Sequence, residues 1–231
     1  MAKINEQQQA PMSESLTKME AFVLKYKTII ISAVAAVIII VVGGILLNNF
    51  YLQPRQAEAS TALAKGQDYF AQQQYEKALN GDGAGYAGLI KVISQYGSTD
   101  AGNLANLYAG LCYAKLGKFQ EAEKYLDDYS TADDALVSPA AVAALGNVYA
   151  SLGKVDDAIS NLKKAAKMAD SKAENGRNYS LAPQFLMQAA QLLESQGKKS
   201  EALDIYKSIK SDYVNSAAYR DIDKYIERCS E

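Results

Sequence analysis

Residues 113–122, which read Tyr-Ala-Lys-Leu-Gly-Lys-Phe-Gln-Glu-Ala, decide the fold because the chain repeats their pattern. The segment returns at 149–158 as Tyr-Ala-Ser-Leu-Gly-Lys-Val-Asp-Asp-Ala and at 193–202 as Leu-Glu-Ser-Gln-Gly-Lys-Lys-Ser-Glu-Ala. A degenerate fourth copy occupies residues 69–78. Each copy predicts a helix, a tight turn and a second helix, since glycine accepts the left-handed conformation that ends a helix.

The rest of this region also predicts helices. Alanine, leucine, lysine, glutamate and glutamine dominate it, and runs of alternating β-branched residues are nearly absent. Small residues recur where paired helices should touch, at Ala78, Ala122, Ala158 and Ala202. The last stretch, residues 216–230, has apolar residues at helical spacing and charges opposite, which is typical of a capping helix.

A different segment, residues 28–47, holds twenty residues without a charge. As a helix it would be about 30 Å long, which is the hydrocarbon thickness of a bilayer. A cleaved signal peptide is disfavoured, because its apolar core has roughly 7–15 residues and here 27 residues precede the run. We therefore predict an all-α chain: one N-terminal transmembrane helix, then a helical solenoid with a C-terminal capping helix.

Positive charges predict the orientation. Lys18, Lys25 and Lys27 precede the apolar run, whereas Arg55 is the one basic residue close behind it. The positive-inside rule then leaves residues 1–27 in the cytoplasm and sends the C-terminal region across the membrane. The predicted divisions are a cytoplasmic tail (1–27), a transmembrane helix (28–47), a linker (48–58) with a helix break at Gln53-Pro54, and a solenoid of about four repeats plus the cap (59–231).

Composition disfavours several classes of function. The chain has 24 basic and 26 acidic residues, so it lacks the basic surplus of a nucleic-acid-binding domain. It has no histidine, which removes the commonest general base and metal ligand. Cys112 and Cys229 are too few for a disulfide scaffold or an all-cysteine zinc site. We expect no catalytic residue, no cofactor, no metal site and no small-molecule substrate.

One glycine-rich segment imitates ligand-binding loops. Gly83, Gly85 and Gly88 fit a dinucleotide-binding spacing, but a helical segment precedes them instead of a buried strand. A calcium loop starting at Asn80 would need a carboxylate at the position that Lys91 occupies. We interpret residues 80–85 as an insertion in the first repeat, with a second insertion at residues 170–178.

The repeats resemble the tetratricopeptide repeat family. In the best copy the matching residues are Ala109, Gly110, Tyr113, Gly117, Phe119, Ala122 and Leu126. The signature tryptophan of the family is absent, and the spacing between copies is longer than its 34 residues. The resemblance implies a non-enzymatic scaffold that binds other proteins or peptides.

The order of anchor, short linker and repeats is similar to the membrane-anchored bacterial YfgM-like ancillary proteins of the Sec translocon. That resemblance implies a bacterial inner-membrane protein with a periplasmic domain. Its partners would be the translocon, periplasmic chaperones and exported polypeptides. An alternative is a scaffold for an envelope assembly or cell-division complex. A eukaryotic organelle import receptor is disfavoured, because the basic clamp of that class is absent.

In the fold of the tetratricopeptide family, first-helix residues one turn apart line a groove. Placed on this chain, the implied partner-binding groove comprises Gln67, Phe70, Leu107, Leu111, Asn147, Met187 and Gln191. Its surface would be mildly apolar, rich in amides and nearly uncharged. For Leu107 and Leu111 a second interpretation stays open, namely that they pack against a neighbouring helix.

Overall fold

The structure is a computed structural model that describes residues 10–230, with side chains from residue 19 onward. Every regular element in this part of the chain is helical. The α-helices are α1 (Ala10–Leu47), α2 (Gln53–Ala71), α3 (Tyr75–Asn80), α4 (Leu89–Tyr96), α5 (Asp100–Lys115), α6 (Phe119–Asp127), α7 (Val137–Ser151), α8 (Val155–Ser171), α9 (Ala182–Ser195), α10 (Lys199–Asp212) and α11 (Ile222–Ser230). A π-helical segment covers Asn48–Leu52, and a 3₁₀ segment covers Ala217–Asp221. Contacts divide the chain into two compact units, residues 1–54 and 55–231.

The first unit contains the apolar segment. Its most apolar window has a mean hydropathy of 3.1, and none of that window is buried inside the protein. Among the described residues this is the one helix long and apolar enough to cross a membrane. Large side chains such as Ile39 and Ile40 are more than two-thirds exposed, so the protein itself does not cover them.

The helix break predicted at Gln53-Pro54 is wrong. The chain stays helical through Asn48–Leu52, but as a π-helix, and the amide of Gln53 donates to the carbonyl of Asn48. Proline has no amide hydrogen and its ring crowds the carbonyl of the preceding turn, so it disrupts an ordinary α-helix. The wider π turn before Pro54 gives the proline ring room, and α2 therefore begins at Gln53 and not after Pro54.

The second unit is built from four helix pairs that share one turn geometry. At the turn after α5, the amide of Lys118 donates to the carbonyl of Tyr113 at 2.9 Å, and that of Gly117 donates to Ala114 at 3.1 Å. These two bonds define a Schellman motif, which satisfies the last carbonyls of a helix. The same pair recurs after α2, α7 and α9. The residues in the left-handed conformation are Gln73 (φ 59°), Gly117 (74°), Gly153 (77°) and Gly197 (74°).

The second helix of the first repeat is divided into α3 and α4 by a loop at residues 81–88. This loop is the first predicted insertion. Asp82 holds it together, because its carboxylate accepts hydrogen bonds from the amides of Ala84 (2.8 Å) and Tyr86 (3.0 Å) and from the hydroxyl of Tyr69 (2.7 Å). These bonds lower the pKa of Asp82 to about 2, chiefly through the Ala84 amide.

The glycines of this loop are explained by its backbone. Gly81, Gly83, Gly85 and Gly88 all have positive φ. A side chain on Gly88 would also run into the carbonyl of Leu79. The dinucleotide-like spacing therefore arises from a tight loop between two helical segments, with the conformational freedom of glycine as the reason.

The core of the second unit forms three successive clusters. The first joins α2, α3, α4 and α5, the second joins α5, α6 and α7, and the third runs from α7 to α11. The alanines predicted at helix contacts, Ala78, Ala122, Ala158 and Ala202, have no exposed surface. This nearest-neighbour packing is typical of a solenoid, in which each repeat buries its apolar face against the next.

The cap is fastened by a largely buried carboxylate. Glu194 in α9 accepts hydrogen bonds from Nε of Arg228 (2.9 Å) and from the hydroxyl of the fully buried Tyr206 (2.7 Å). These partners, Arg228 first, lower the pKa of Glu194 to about 2. Ile222 and Cys229 on α11 are buried against the preceding repeat. The helix thus closes the apolar end of the array and keeps charges outside.

Candidate protein-binding surface

The predicted groove residues lie on the first helices of the four pairs, α2, α5, α7 and α9, but they differ in exposure. Asn147 and Gln191 are exposed, and Gln67, Leu111 and Met187 are partly exposed. None of these amides has a side-chain hydrogen bond to a described residue. Their donors and acceptors are thus available to the backbone groups of a peptide.

Leu107 belongs to the core instead. Only 6% of it is exposed, and it packs in the cluster formed by α5, α6 and α7 together with Leu126 and Leu145. Leu111, one turn later, packs against the same cluster while remaining partly exposed. Because Leu107 is buried, it is not available to a partner. It packs against neighbouring helices, as the second interpretation of this residue predicted.

Phe70 is held by other aromatic rings. Its ring centroid lies 5.6 Å from that of Tyr75 and 5.4 Å from that of Tyr108, the latter in an edge-to-face arrangement. Such contacts stabilise the junction between the first and second repeats. Phe70 therefore has a packing role, and its partly exposed edge adds a small apolar area to the surface.

We define the first-helix surface as the predicted groove residues that keep exposed area, apart from Phe70, whose main role is packing: Gln67, Leu111, Asn147, Met187 and Gln191. It carries no charge and mixes amide with apolar groups. A surface of this kind suits contact with an extended or helical peptide, because amides can pair with main-chain groups while the apolar side chains exclude water.

Sequence reasoning missed a row of ion pairs that links the repeats. Lys118, Lys154 and Lys198 follow the turn glycines. Their Nζ atoms lie 3.1 Å from Glu76, 2.7 Å from Glu123 and 3.2 Å from Asp156, each on the second helix of the preceding repeat. The bond to Glu123 raises the pKa of Lys154. The recurring Gly-Lys dipeptide was the signal that could have revealed this row.

The second insertion is anchored to the solenoid rather than free of it. Asp170 accepts hydrogen bonds from the amide of Asn178 (2.7 Å) and the hydroxyl of Tyr213, and the carboxylate of Asp212 lies 3.1 Å from Arg177. Burial and the bond to Asp170 raise the pKa of Tyr213. The segment thus forms a fixed wall beside α8.

Both cysteines are buried. Burial raises the pKa of the Cys112 thiol to about 12, so this group stays protonated at neutral pH and is a poor nucleophile. Burial also raises the pKa of Cys229, whose thiol donates to Glu194. In the described part of the chain, no group of three or more His, Cys, Asp or Glu side chains is placed to hold a metal ion.

Comparison with known proteins supports the repeat assignment. Two tetratricopeptide repeat family models match the chain, one over residues 104–131 and one over residues 143–216. These segments are tetratricopeptide repeats. The first match covers most of α5 and all of α6, and the second covers most of α7 and all of α8, α9 and α10.

Solved structures give the same fold. A crystal structure of the nearly identical TPR-like repeats of a Podosopora anserina chain, described as a kinesin light chain, matches with a TM-score of 0.57 and 14% identity. It covers 75% of this chain and 86% of that one. A crystal structure of a single-substitution variant of those repeats matches with 13% identity and the same TM-score, over 75% of this chain and 85% of that one. A search of curated proteins gave no significant match.

The predicted fold class is therefore confirmed: an all-helical chain with one long apolar N-terminal helix, a tetratricopeptide-like solenoid and a short C-terminal helix. Tetratricopeptide repeats indicate a scaffold for protein–protein interaction, and proteins built from them are generally not catalysts. The partners of this chain are thus expected to be proteins.

Proposed function

We propose that the protein is a membrane-anchored scaffold whose first-helix surface binds polypeptide segments. The observation that carries this proposal is the chemistry of that surface. Asn147 and Gln191 are exposed and have no side-chain hydrogen bond to a described residue, and the partly exposed Leu111 on α5 and Met187 on α9 supply apolar area. The exposed apolar residues of α1 supply the reason for a membrane anchor.

The more specific proposal is an ancillary role at a protein translocon of the bacterial inner membrane. In this role residues 1–27 lie in the cytoplasm and the repeats lie in the periplasm, where they meet exported polypeptides and chaperones. Support comes from the lysines at 18, 25 and 27, from the apolar segment at 28–47, and from the repeats that follow.

Site-specific crosslinking tests the binding surface. A photo-activatable amino acid at Asn147 or Gln191 should capture partner proteins in cells, while the same group at Gln120, an exposed amide on the second helix α6, should not. Asn147→Arg and Gln191→Arg together should reduce capture, and Gln120→Arg serves as the matched control. Equal capture from all three positions would contradict a binding site on the first helices.

The identity of the captured proteins distinguishes the two envelope functions. Translocon subunits, chaperones and many different exported chains would support the proposed role. A small fixed set of envelope-assembly or division subunits would support the alternative scaffold.

A protease experiment tests the orientation. Protease added outside spheroplasts should digest the repeats, since three lysines on the N-terminal side of the apolar run outweigh Arg55 on the other. An epitope at the N-terminus should survive on a short fragment. Repeats that resist digestion until the cells are lysed would overturn the periplasmic location.

A further inference from the structure

A row of lysines lies on the second helix of the third repeat. On α8 the residues Ser160, Lys163, Lys164, Lys167 and Ser171 are exposed and lie on one face, which we call the α8 ridge. Their spacing of three or four residues places them side by side along the helix. The opposite face, which includes Leu162, Ala165 and Ala169, is fully buried.

The charges of these lysines are not neutralised within the protein. Among the described residues, no carboxylate lies within 4 Å of Nζ of Lys163, Lys164 or Lys167. Other lysines of the same region do have such partners, for example Lys154 with Glu123 and Lys172 with Asp133. The ridge therefore presents three uncompensated positive charges within about two helical turns.

A cavity of about 480 Å³ lies along one side of the ridge, between α6, α7 and α8. It exists because α6 ends at Asp127, whereas α8 continues to Ser171. Buried apolar residues line its floor, among them Val142 and Leu145. The rest of its lining is polar and includes both Lys164 and the acidic Asp127.

A second cavity of about 390 Å³ lies along the other side, between α8, α9 and the 172–178 segment. Its apolar walls come from Ala166 and Leu186, and its rim carries Lys163 and Lys167. Asp170 also lines it, but hydrogen bonds from Tyr213 and Asn178 already engage this carboxylate. Each cavity thus contains some buried apolar residues and has at its edge a lysine with no carboxylate within 4 Å among the described residues; the second cavity is the more apolar of the two.

We propose that the α8 ridge is a second docking surface, for an acidic segment of a protein partner whose apolar side chains enter the two cavities. The three lysines would pair with carboxylates, and the cavities would accept side chains such as leucine. A protein segment fits better than a flat membrane surface, because lipid headgroups could reach the lysines but would leave both cavities empty. The ridge shares no residue with the first-helix surface, so either proposal can fail while the other stands.

Peptide binding to the full chain in phosphatidylcholine nanodiscs tests this surface. The probe is a fluorescein-labelled peptide of sequence EELLEELLEELL, with empty nanodiscs as the blank. One control peptide has Gln in place of every Glu, and another has Ser in place of every Leu. We expect the first peptide to bind at least about tenfold more tightly than either control, and its affinity to fall as salt increases.

Substitution of the ridge gives the decisive comparison. The triple variant Lys163→Gln, Lys164→Gln, Lys167→Gln should weaken binding about tenfold. A matched triple variant at three other exposed lysines, Lys199→Gln, Lys207→Gln and Lys224→Gln, should bind as the wild type does. The single variants of the ridge, which change the fold least, should each show part of the loss.

Three results would overturn the proposal. Equal losses in both triple variants would mean that the peptide senses net charge alone. Equal binding of the serine peptide would remove the cavities from recognition. A dansyl group on Ser160→Cys that is quenched by spin-labelled phosphatidylglycerol without peptide would identify the membrane surface as the occupant.

Discussion

The first repeat and the three later repeats build the same turn from different residues. After α5, α7 and α9 the left-handed position is a glycine, whereas after α2 it is Gln73, the one non-glycine residue with positive φ in the described chain. Both Schellman hydrogen bonds are nevertheless present, at 2.9 Å each. The comparison teaches that packing of the paired helices imposes this turn, and that glycine lowers its energy without being required for it.

The two kinds of repeat also differ in the residue that follows the turn. Lysine stands there in the later repeats and reaches an acid of the preceding repeat, whereas the first repeat has Gln74, whose amide donates to Gln72 within its own turn. Among the described residues no earlier repeat precedes the first copy. The first copy thus lacks the lysine that, in the later repeats, forms an ion pair with the preceding repeat.

The largest loss of stability should come from a substitution at the junction between the first and second repeats. A side chain on Gly102 would collide with the backbone carbonyl of Tyr96, which cannot move away without shifting α4. We expect Gly102→Ala to destabilise the domain of residues 55–231 by about 3 kcal/mol in urea unfolding, at the high end for an overpacked core.

The matched control is Gly146→Ala between later helices, where the nearest atoms lie 3.2–3.3 Å from the added carbon. Here the better helix propensity of alanine offsets the tight contact, so stability should change by less than about 1 kcal/mol. Equal effects would mean that the first junction is no tighter than the contact between α7 and α8.

At the other end of the array, Glu194→Gln should destabilise the domain by about 2 kcal/mol at pH 7. The substitution removes the charged partner of Arg228 and weakens the acceptor of the buried Tyr206 hydroxyl. Because the folded state lowers the pKa of Glu194 from 4.5 to about 2, its stabilisation is present above pH 4.5 and is lost as the pH falls toward 2.

Thermal melting from pH 7 to pH 2 checks this. The difference in melting temperature between the wild type and Glu194→Gln should shrink below pH 4.5. The same measurement on Asp82→Asn tests the corresponding carboxylate of the first repeat, whose pKa is also lowered. A difference that stays constant across this range would show that the charge of Glu194 does not stabilise the cap.

The turn itself gives a pair of substitutions with opposite sign. Gln73→Gly should stabilise the domain by about 1 kcal/mol, because it removes the cost of a side chain in the left-handed conformation. Gly153→Gln should destabilise it by a similar amount, since open space surrounds the position and only the backbone conformation is strained. Denaturant midpoints report both, and a destabilised Gln73→Gly would show that Gln73 contributes a contact of its own.

The smallest effect concerns the ion pairs between repeats. Lys154 and Glu123 lie 2.7 Å apart, but the lysine side chain is 45% exposed. A double-mutant cycle with Lys154→Met and Glu123→Gln should give a coupling of about 0.2–1 kcal/mol that falls with added salt. Lys163→Met with Glu123→Gln provides an uncoupled control. A coupling energy above this range would show that the ion pairs between repeats contribute substantially to the stability of the domain.

Much of this architecture follows from local sequence. The glycine turns, the buried alanines, the apolar N-terminal helix and the C-terminal cap each have a periodic or compositional signal that acts over a few residues. The continuity of the helix at Gln53-Pro54 does not, because a π turn absorbs the proline and no sequence pattern marks it. Leu107 is buried by residues of α6 and α7, and the sequence pattern of α5 alone does not show where those helices pack.

The candidate binding surfaces follow from the sequence only in part. The exposure of Asn147 and Gln191 agrees with the family pattern, since both lie away from the packed faces of their helices. The α8 ridge was not anticipated, because one of its cavities results from the unequal lengths of α6 and α8 and the other from the way the 172–178 segment packs beside α8 and α9. The lysines became noteworthy only once their lack of nearby carboxylates was visible.

The row of ion pairs bears on how such an array can lengthen. An internal repeat carries both halves of the contact: the second repeat has Lys118 facing backward and Glu123 facing forward, and the third has Lys154 and Asp156. A tandem copy of either repeat would meet a complementary charge on each side. Gene duplication can therefore add units inside the array without new surface changes, whereas a copy of the first repeat, with Gln74 in place of lysine, would leave one junction without its pair.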